Sequence, residues 1–150
     1  MNKKDTVVFD LDGTLLDTLE DLKNSVNYAM TQCGYPEHTL DEVRRYVGNG
    51  ILLLMQRAIP GGKDDPNFDK AFTLFKEHYG KHCNDTTKPY AGIMELLHTL
   101  KENNIKIAIV SNKADFAVKE LNAIYFKDLI LVAIGEKESE GIRKKPAPDT

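Results

Sequence analysis

The chain has 150 residues, of which 41% are hydrophobic and 29% charged, with a formal net charge of −3. That balance describes a soluble folded domain, not a disordered segment, and it lacks the broad basic surface that nucleic-acid binding requires. No apolar run approaches membrane-spanning length, Asp10 interrupts the first apolar stretch before it could serve as a signal peptide, and Cys33 and Cys83 have no metal-ligand spacing around them. The expectation is a cytoplasmic protein with idle thiols and with neither a nucleic-acid nor a membrane partner.

Taken in chain order, residues 6–11 are β-branched and aromatic without polar alternation, which predicts a buried parallel strand. The strand runs into Asp10-Leu11-Asp12-Gly13-Thr14. Chemistry in open α/β sheets gathers beyond the carboxyl ends of strands, and carboxylates spaced i, i+2 can point to the same side there. Such a pair repels itself and favours a divalent cation or a shared proton. Asp12-Gly13 also fits a hairpin turn, but Thr14–Leu16 is too short to be its second arm. Asp10, Asp12 and Thr14 match the first alternating positions of a calcium-binding loop. Leu15 and Asp21 then stand where that loop needs glycine and glutamate.

Residues 17–84 read as all-helical. A first helix spans Asp17 to Gly34, with Leu19, Leu22, Val26, Ala29 and Met30 at helical spacing. Thr39 and Glu42 form a capping-box pattern for a second, which breaks at Gly48-Asn49-Gly50. Ile51–Ile59 is a third helix, and a fourth begins at Asp65-Pro66 and carries Phe68, Phe72, Phe75 and Tyr79. His78 and His82 lie i, i+4 on it, a zinc-ligand spacing, but lack the acidic partner of a metalloprotease motif and are expected on a solvated face.

After Pro89 the alternation of helix and strand resumes. Ile93–Asn103 predicts an amphipathic helix with Leu96, Leu97 and Leu100 inward, and Ile105–Val110 a buried strand ending in Ser111-Asn112-Lys113. Ala114–Ile124 predicts a helix and Leu129–Ile134 a third strand, followed by Lys145-Pro146-Ala147-Pro148-Asp149. Taken alone, Ser111 suits a helix cap and Lys113 a surface position. The order predicts an α/β, Rossmann-like three-layer core with a parallel sheet, formed by 1–16 and 86–150, and an inserted all-helical domain at 17–85.

Three polar stations thus follow apolar strands: Asp10/Asp12, Ser111-Asn112-Lys113, and Lys145 with its prolines. This set resembles the haloacid dehalogenase superfamily of phosphohydrolases, and most closely its phosphoglycolate-phosphatase-like members with a helical cap. The resemblance implies Asp10 as a nucleophile that forms an aspartyl-phosphate and Asp12 as the general acid and base. It implies Ser111, Asn112, Lys145, Leu11 and Thr14 as the phosphate-binding set, with Thr14 bracing the turn at Gly13. Mg²⁺ would be held by Asp10 and Asp12, and Arg45 and Gly48 would face the substrate, a small phosphorylated metabolite. A phosphosugar mutase of the same superfamily and a non-catalytic phosphate-binding or interaction module are the alternatives.

The resemblance also implies a fourth, acidic motif some tens of residues beyond the Lys-Pro station, and the 150 residues do not include it. The expectation is a C-terminally incomplete core whose first strand is left as an apolar edge. The chain would then be a fragment with impaired activity, or one whose sheet a second chain completes.

Overall fold

The structure, a computed structural model, describes residues 4–149. The chain divides into two compact units: one comprises the chain up to Asp17 together with everything from Lys88, and the other is Thr18–Thr87.

The first unit is built on a parallel sheet. Strand β1 (Thr6–Phe9) pairs with β4 (Lys106–Ala114), Thr6 opposite Lys106 and Phe9 opposite Ile109. On its other side β4 pairs with β5 (Val132–Glu136), Ala108 opposite Val132 and Val110 opposite Ile134, giving the order β1-β4-β5. Both crossovers step the same way along the sheet, through α5 (Ile93–Glu102) and α6 (Asp115–Tyr125). Right-handed crossovers in one direction place both helices on one face. That face carries Ile107, Ile109 and Ala133, and Leu97, Val118, Leu121, Phe126 and Ile130 bury it together with Leu11, Leu15 and Leu16.

The opposite face has a row Val8–Ala108–Val132 across all three strands, with Val8 59% and Val132 50% exposed. Of the three layers expected for this core, its described residues therefore supply two. The remaining element is a short antiparallel pair, β2 (Leu16–Asp17) with β3 (Lys88–Pro89). Two-residue strands carry too little alternation to be read from sequence, and Asp17, expected to open a helix, lies in one of them.

Element boundaries moved for identifiable reasons. The first strand ends at Phe9 and not Leu11, because the Leu11 carbonyl already accepts from the amides of Thr14, Leu15 and Leu16 and so begins a turn. Strand β4 runs past Val110 through Ser111–Ala114, with an irregularity between Val110 and Ala114. The third strand starts at Val132 and not Leu129, since the amides of Leu129 and Ile130 close a turn on the Phe126 carbonyl. In α5, Leu97 is buried while Leu96 is exposed, so the expectation that both face inward fails; two consecutive helical residues cannot share one narrow face.

The second unit is helical: α1 (Leu19–Gln32), α2 (Leu40–Tyr46), α3 (Ile51–Ala58) and α4 (Phe68–His82), with a 3-10 turn at Gly62–Asp64. Its core packs Val26, Met30, Val43, Leu54, Met55 and Phe75. The expected capping box is formed: the Glu42 amide donates to Thr39 Oγ1 at 3.3 Å and the Thr39 amide to Glu42 Oε2 at 2.7 Å. The Thr39 bonds hold the Glu42 carboxyl below its ordinary value. The unit's two ends are tied by buried Asp21, which accepts the Thr86 and Thr87 amides at 2.9–3.0 Å and both threonine hydroxyls at 2.8 Å. Among the described residues no helix is long and apolar enough to cross a membrane.

The two sheet faces should answer differently to substitution. Ile109→Ala should cost about 2–5 kcal/mol, since it opens a cavity in a fully buried position. Val8→Thr and Val132→Thr should each change stability by less than about 1 kcal/mol. Urea denaturation of the three variants measures the contrast, and equal losses would show that the Val8 face is packed.

Candidate active site

Register places the polar stations together. With Phe9 opposite Ile109, the chain leaves β1 at Asp10 beside Val110, and the Asp10–Leu16 turn lies over the end of β4. Gly13, at φ 75°, takes the left-handed conformation this turn needs, and its amide donates to the Leu16 carbonyl at 3.0 Å. Thr14 is exposed and contributes its amide, which reaches the Leu11 carbonyl at 3.3 Å. The turn is thus braced by main-chain bonds converging on Leu11.

Two lysines meet the two aspartates. Lys145 Nζ donates to Asp10 Oδ1 at 3.1 Å and to the Val110 carbonyl at 2.8 Å. The Leu11 amide also donates to Asp10 Oδ1, at 2.9 Å. Both bonds fall on one oxygen, and Asp10 Oδ2 makes no hydrogen bond or ion pair to another described residue. Lys113 Nζ lies 2.9 Å from Asp12 Oδ1, with the Lys113 side chain 3% exposed and that of Asp12 28%. Lys113, expected at the surface, is therefore buried against the site. The missed signal is the alternation of β4: Ile107, Ile109, Ser111 and Lys113 share one buried face.

Of the expected phosphate-binding set, Lys145 stands at Asp10, and Leu11, Asn112 and Ser111 hydrogen-bond within the protein. The Leu11 amide is given to Asp10, and Leu11 itself is buried. Asn112 clamps the Lys145 main chain: its Oδ1 accepts the Lys145 amide at 2.8 Å and its Nδ2 donates to the Lys145 carbonyl at 3.3 Å. Ser111 is buried, and its Oγ accepts the Lys113 amide at 3.1 Å. It does not cap α6, whose N-cap is Ala114. The Lys145 loop is closed by Arg143, which donates to both Asp149 carboxylate oxygens at 2.7 Å, holding the arginine above and the aspartate below its ordinary value. Arg45 and Gly48 are exposed and belong to the helical unit. There Arg57 spans the break between α2 and α3, bonding the Tyr46 carbonyl at 2.8 Å and Asn49 Oδ1 at 3.1 Å.

Behind the site, β4 and β5 approach α6 so closely that a Cβ on Gly135 would lie 2.4 Å from Asp115 Cα and 2.5 Å from the Lys113 carbonyl oxygen. The Gly135 amide donates to Asp115 Oδ1 at 2.9 Å, and Lys119 meets Asp115 Oδ2 at 2.5 Å. Partial burial pushes the Asp115 carboxyl up, but the Lys119 and Gly135 hydrogen bonds outweigh it and leave it net below its ordinary value.

The described residues contain no group of three or more His, Cys, Asp or Glu able to hold a metal. Mg²⁺ needs fewer protein ligands: one or two carboxylates, with water and substrate phosphate completing its shell. The Asp10 carboxylate and the Asp12 main-chain carbonyl are hard oxygen donors suited to such a shell.

Comparison with known proteins identifies the family. The sequence model of haloacid dehalogenase-like hydrolases matches residues 7–150. The chain belongs to that family. Similar proteins include a phosphoglycolate phosphatase of Nitrosospira multiformis, 33% identical over 147 residues, which cover 95% of this chain and 64% of the relative. One from Thiobacillus denitrificans is 36% identical over 113 residues, covering 73% of this chain and 50% of the relative. A crystal structure of a candidate phosphoglycolate phosphatase from Lactobacillus delbrueckii superposes with a TM-score of 0.90 at 33% identity, over 98% of this chain and 70% of that one. The chain thus spans about half to two thirds of the length of the curated relatives it matches. The haloacid dehalogenase-like α/β fold with a parallel sheet is established for it, as its motifs imply.

Two outcomes follow for the support behind the site of this hydrolase-family chain. Gly135→Ala should destabilise by several kcal/mol, because the clash is with main-chain atoms that cannot rotate away. Asp115→Asn should lower stability at pH 7. A depressed folded-state pKa gives stability that is present above the ordinary aspartate value of about 3.9 and is lost as pH falls through the folded value. The gap between Asp115→Asn and wild type should therefore close below about pH 4 in a denaturation series; a constant gap would refute the linkage.

Proposed function

We propose that these residues form the catalytic core of a Mg²⁺-dependent phosphatase acting on small phosphate monoesters through an aspartyl-phosphate. The observation that carries this reading is the pairing of Asp10 with Lys145 at the end of β1: one carboxylate oxygen is tied to the lysine and the Leu11 amide, the other is open to a substrate. Asp10 Oδ2 attacks phosphorus, and the bond to the leaving alkoxide breaks as Asp12, protonated, gives that oxygen its proton. Asp12, now a carboxylate, removes a proton from water, which attacks the same phosphorus and restores the Asp10 carboxylate. Lys145 supplies fixed positive charge beside the transferring oxygens, and Asn112 keeps its main chain in place. Asp10 and the Asp12 carbonyl would hold Mg²⁺, which would neutralise charge on the phosphoryl oxygens when bound.

Phosphoglycolate is the substrate we favour, on the names carried by relatives at 33% and 36% identity. We read the helical unit as a substrate-selecting cap, with Arg45 and Gly48 at its glycine-flanked break as candidate contacts. The uncovered Val8–Val132 sheet face supports reading these residues as part of a larger architecture, completed by further chain or by a second chain. Turnover by the 150 residues alone should accordingly be slow. We also read a cytoplasmic setting, on two cysteines, Cys33 and Cys83, that are not disulfide-bonded.

Phosphate release from phosphoglycolate, followed with and without Mg²⁺, tests the reading. Slow metal-dependent release is expected, falling at least about 10³-fold in Asp10→Asn and about 10²-fold in Lys145→Ala. Release that survives Asp10→Asn would overturn it.

A further inference from the structure

Lys113 is the charged side chain of this site that the mechanism above leaves without a task. It lies on the buried face of β4, its stem continuing the row Ile107, Ile109 and Ser111, and its ammonium ends 2.9 Å from Asp12 Oδ1. Desolvating a lysine is costly, and pairing it in the interior commonly recovers no more than that cost. Stability is therefore a poor reason for such a pair, whereas fixing one carboxylate rotamer at a reacting centre is a good one. The pair has a built support: the Lys113 amide is held by Ser111 Oγ at 3.1 Å, and the Lys113 carbonyl lies where Gly135 permits its close approach. Asp12 itself sits on a turn whose main-chain bonds fix its Cα, so its side-chain torsions are the remaining freedom.

We propose that Lys113 is a positioning residue that holds the Asp12 carboxyl group in the place from which it exchanges protons with the leaving oxygen and the attacking water. Lys113 transfers nothing; it acts through Asp12. The inference rests on the phosphatase reading, and its test separates the two.

A general acid matters when the leaving oxygen is basic and little when it is not. In the 150-residue chain with Mg²⁺, Lys113→Met should lower kcat/KM for phosphoglycolate about 10²-fold, and for an aryl phosphate with an acidic phenol less than about threefold. In an Asp12→Asn background, Lys113→Met should have no further effect on either substrate, as coupled residues behave in a double-mutant cycle. Equal losses with both substrates, or additive losses in the cycle, would overturn the inference while leaving the phosphatase reading intact. Absence of turnover in the wild type would fail the phosphatase reading and take the inference with it. The pair is also checked without turnover, by proton–nitrogen NMR of ¹⁵N-lysine-labelled chain. A slowly exchanging ammonium signal should vanish in Lys113→Met and Asp12→Asn and persist in Asp10→Asn; a signal indifferent to Asp12→Asn overturns the inference even if Lys113→Met fails to fold.

Discussion

The parallel register of β1 on β4 is the constraint from which the site follows. Phe9 opposite Ile109 fixes Asp10 beside Val110, and the Val110 carbonyl is the second anchor of the Lys145 ammonium. A slip of one residue would turn every side chain of β1 to the other face. Phe9 would leave the packed face and Val8 would enter it, while the strand end would no longer present Asp10 to Lys145. Burial of one face thus specifies the chemistry of the loop beyond it, because hydrophobic pattern and catalytic spacing are set by the same pleat.

Charge balance is the second constraint. Two carboxylates two residues apart would repel, and each has its own ammonium: Lys145 at Asp10 and Lys113 at Asp12. The two pairs differ in kind. Lys145 is partly exposed, reaches in from a loop and is held by Asn112 and by the Arg143–Asp149 clasp. Lys113 is built into the sheet. One cation sits on a loop and stays partly exposed; the other is fixed by β4 and faces Asp12. The close approach of Gly135 to the Lys113 carbonyl extends that rigidity into β5.

Much of this was legible from residues alone, for physical reasons that differ by element. The helix core faces announced themselves by period and the Thr39–Glu42 box by its local chemistry, whereas β1, expected to be buried, has Thr6 and Val8 exposed. Asp10 and Asp12 stood out because two carboxylates two residues apart at a strand end repel, and Lys145 through the resemblance carried by its Lys-Pro motif. Lys113 did not, because a lone lysine past a strand end reads as solvated, and its burial depends on β4 continuing past Val110. The bonds of Asn112 and Ser111 were not legible, because they depend on partners 33 and two residues away. Asp21 looked like an ordinary acid in a first helical turn; its five bonds come from Thr86 and Thr87, which no local pattern connects to it.

That Asp21 network explains how a helical unit of 70 residues, Thr18–Thr87, can interrupt the core without loosening it. Loop-closure entropy grows only slowly with length, but the ends must still be brought together. Within the helical unit, Asp21 joins the start of α1 to Thr86 and Thr87. Within the core, β2 and β3 pair Leu16 with Pro89 and Asp17 with Lys88. Each unit therefore closes its own ends with its own bonds. The turn that carries Asp10 and Asp12 is set by Leu11, Gly13 and Leu16 and by β4, all inside the core. Sequence change in the helical unit, including at Arg45 and Gly48, therefore leaves the register that makes the site fixed.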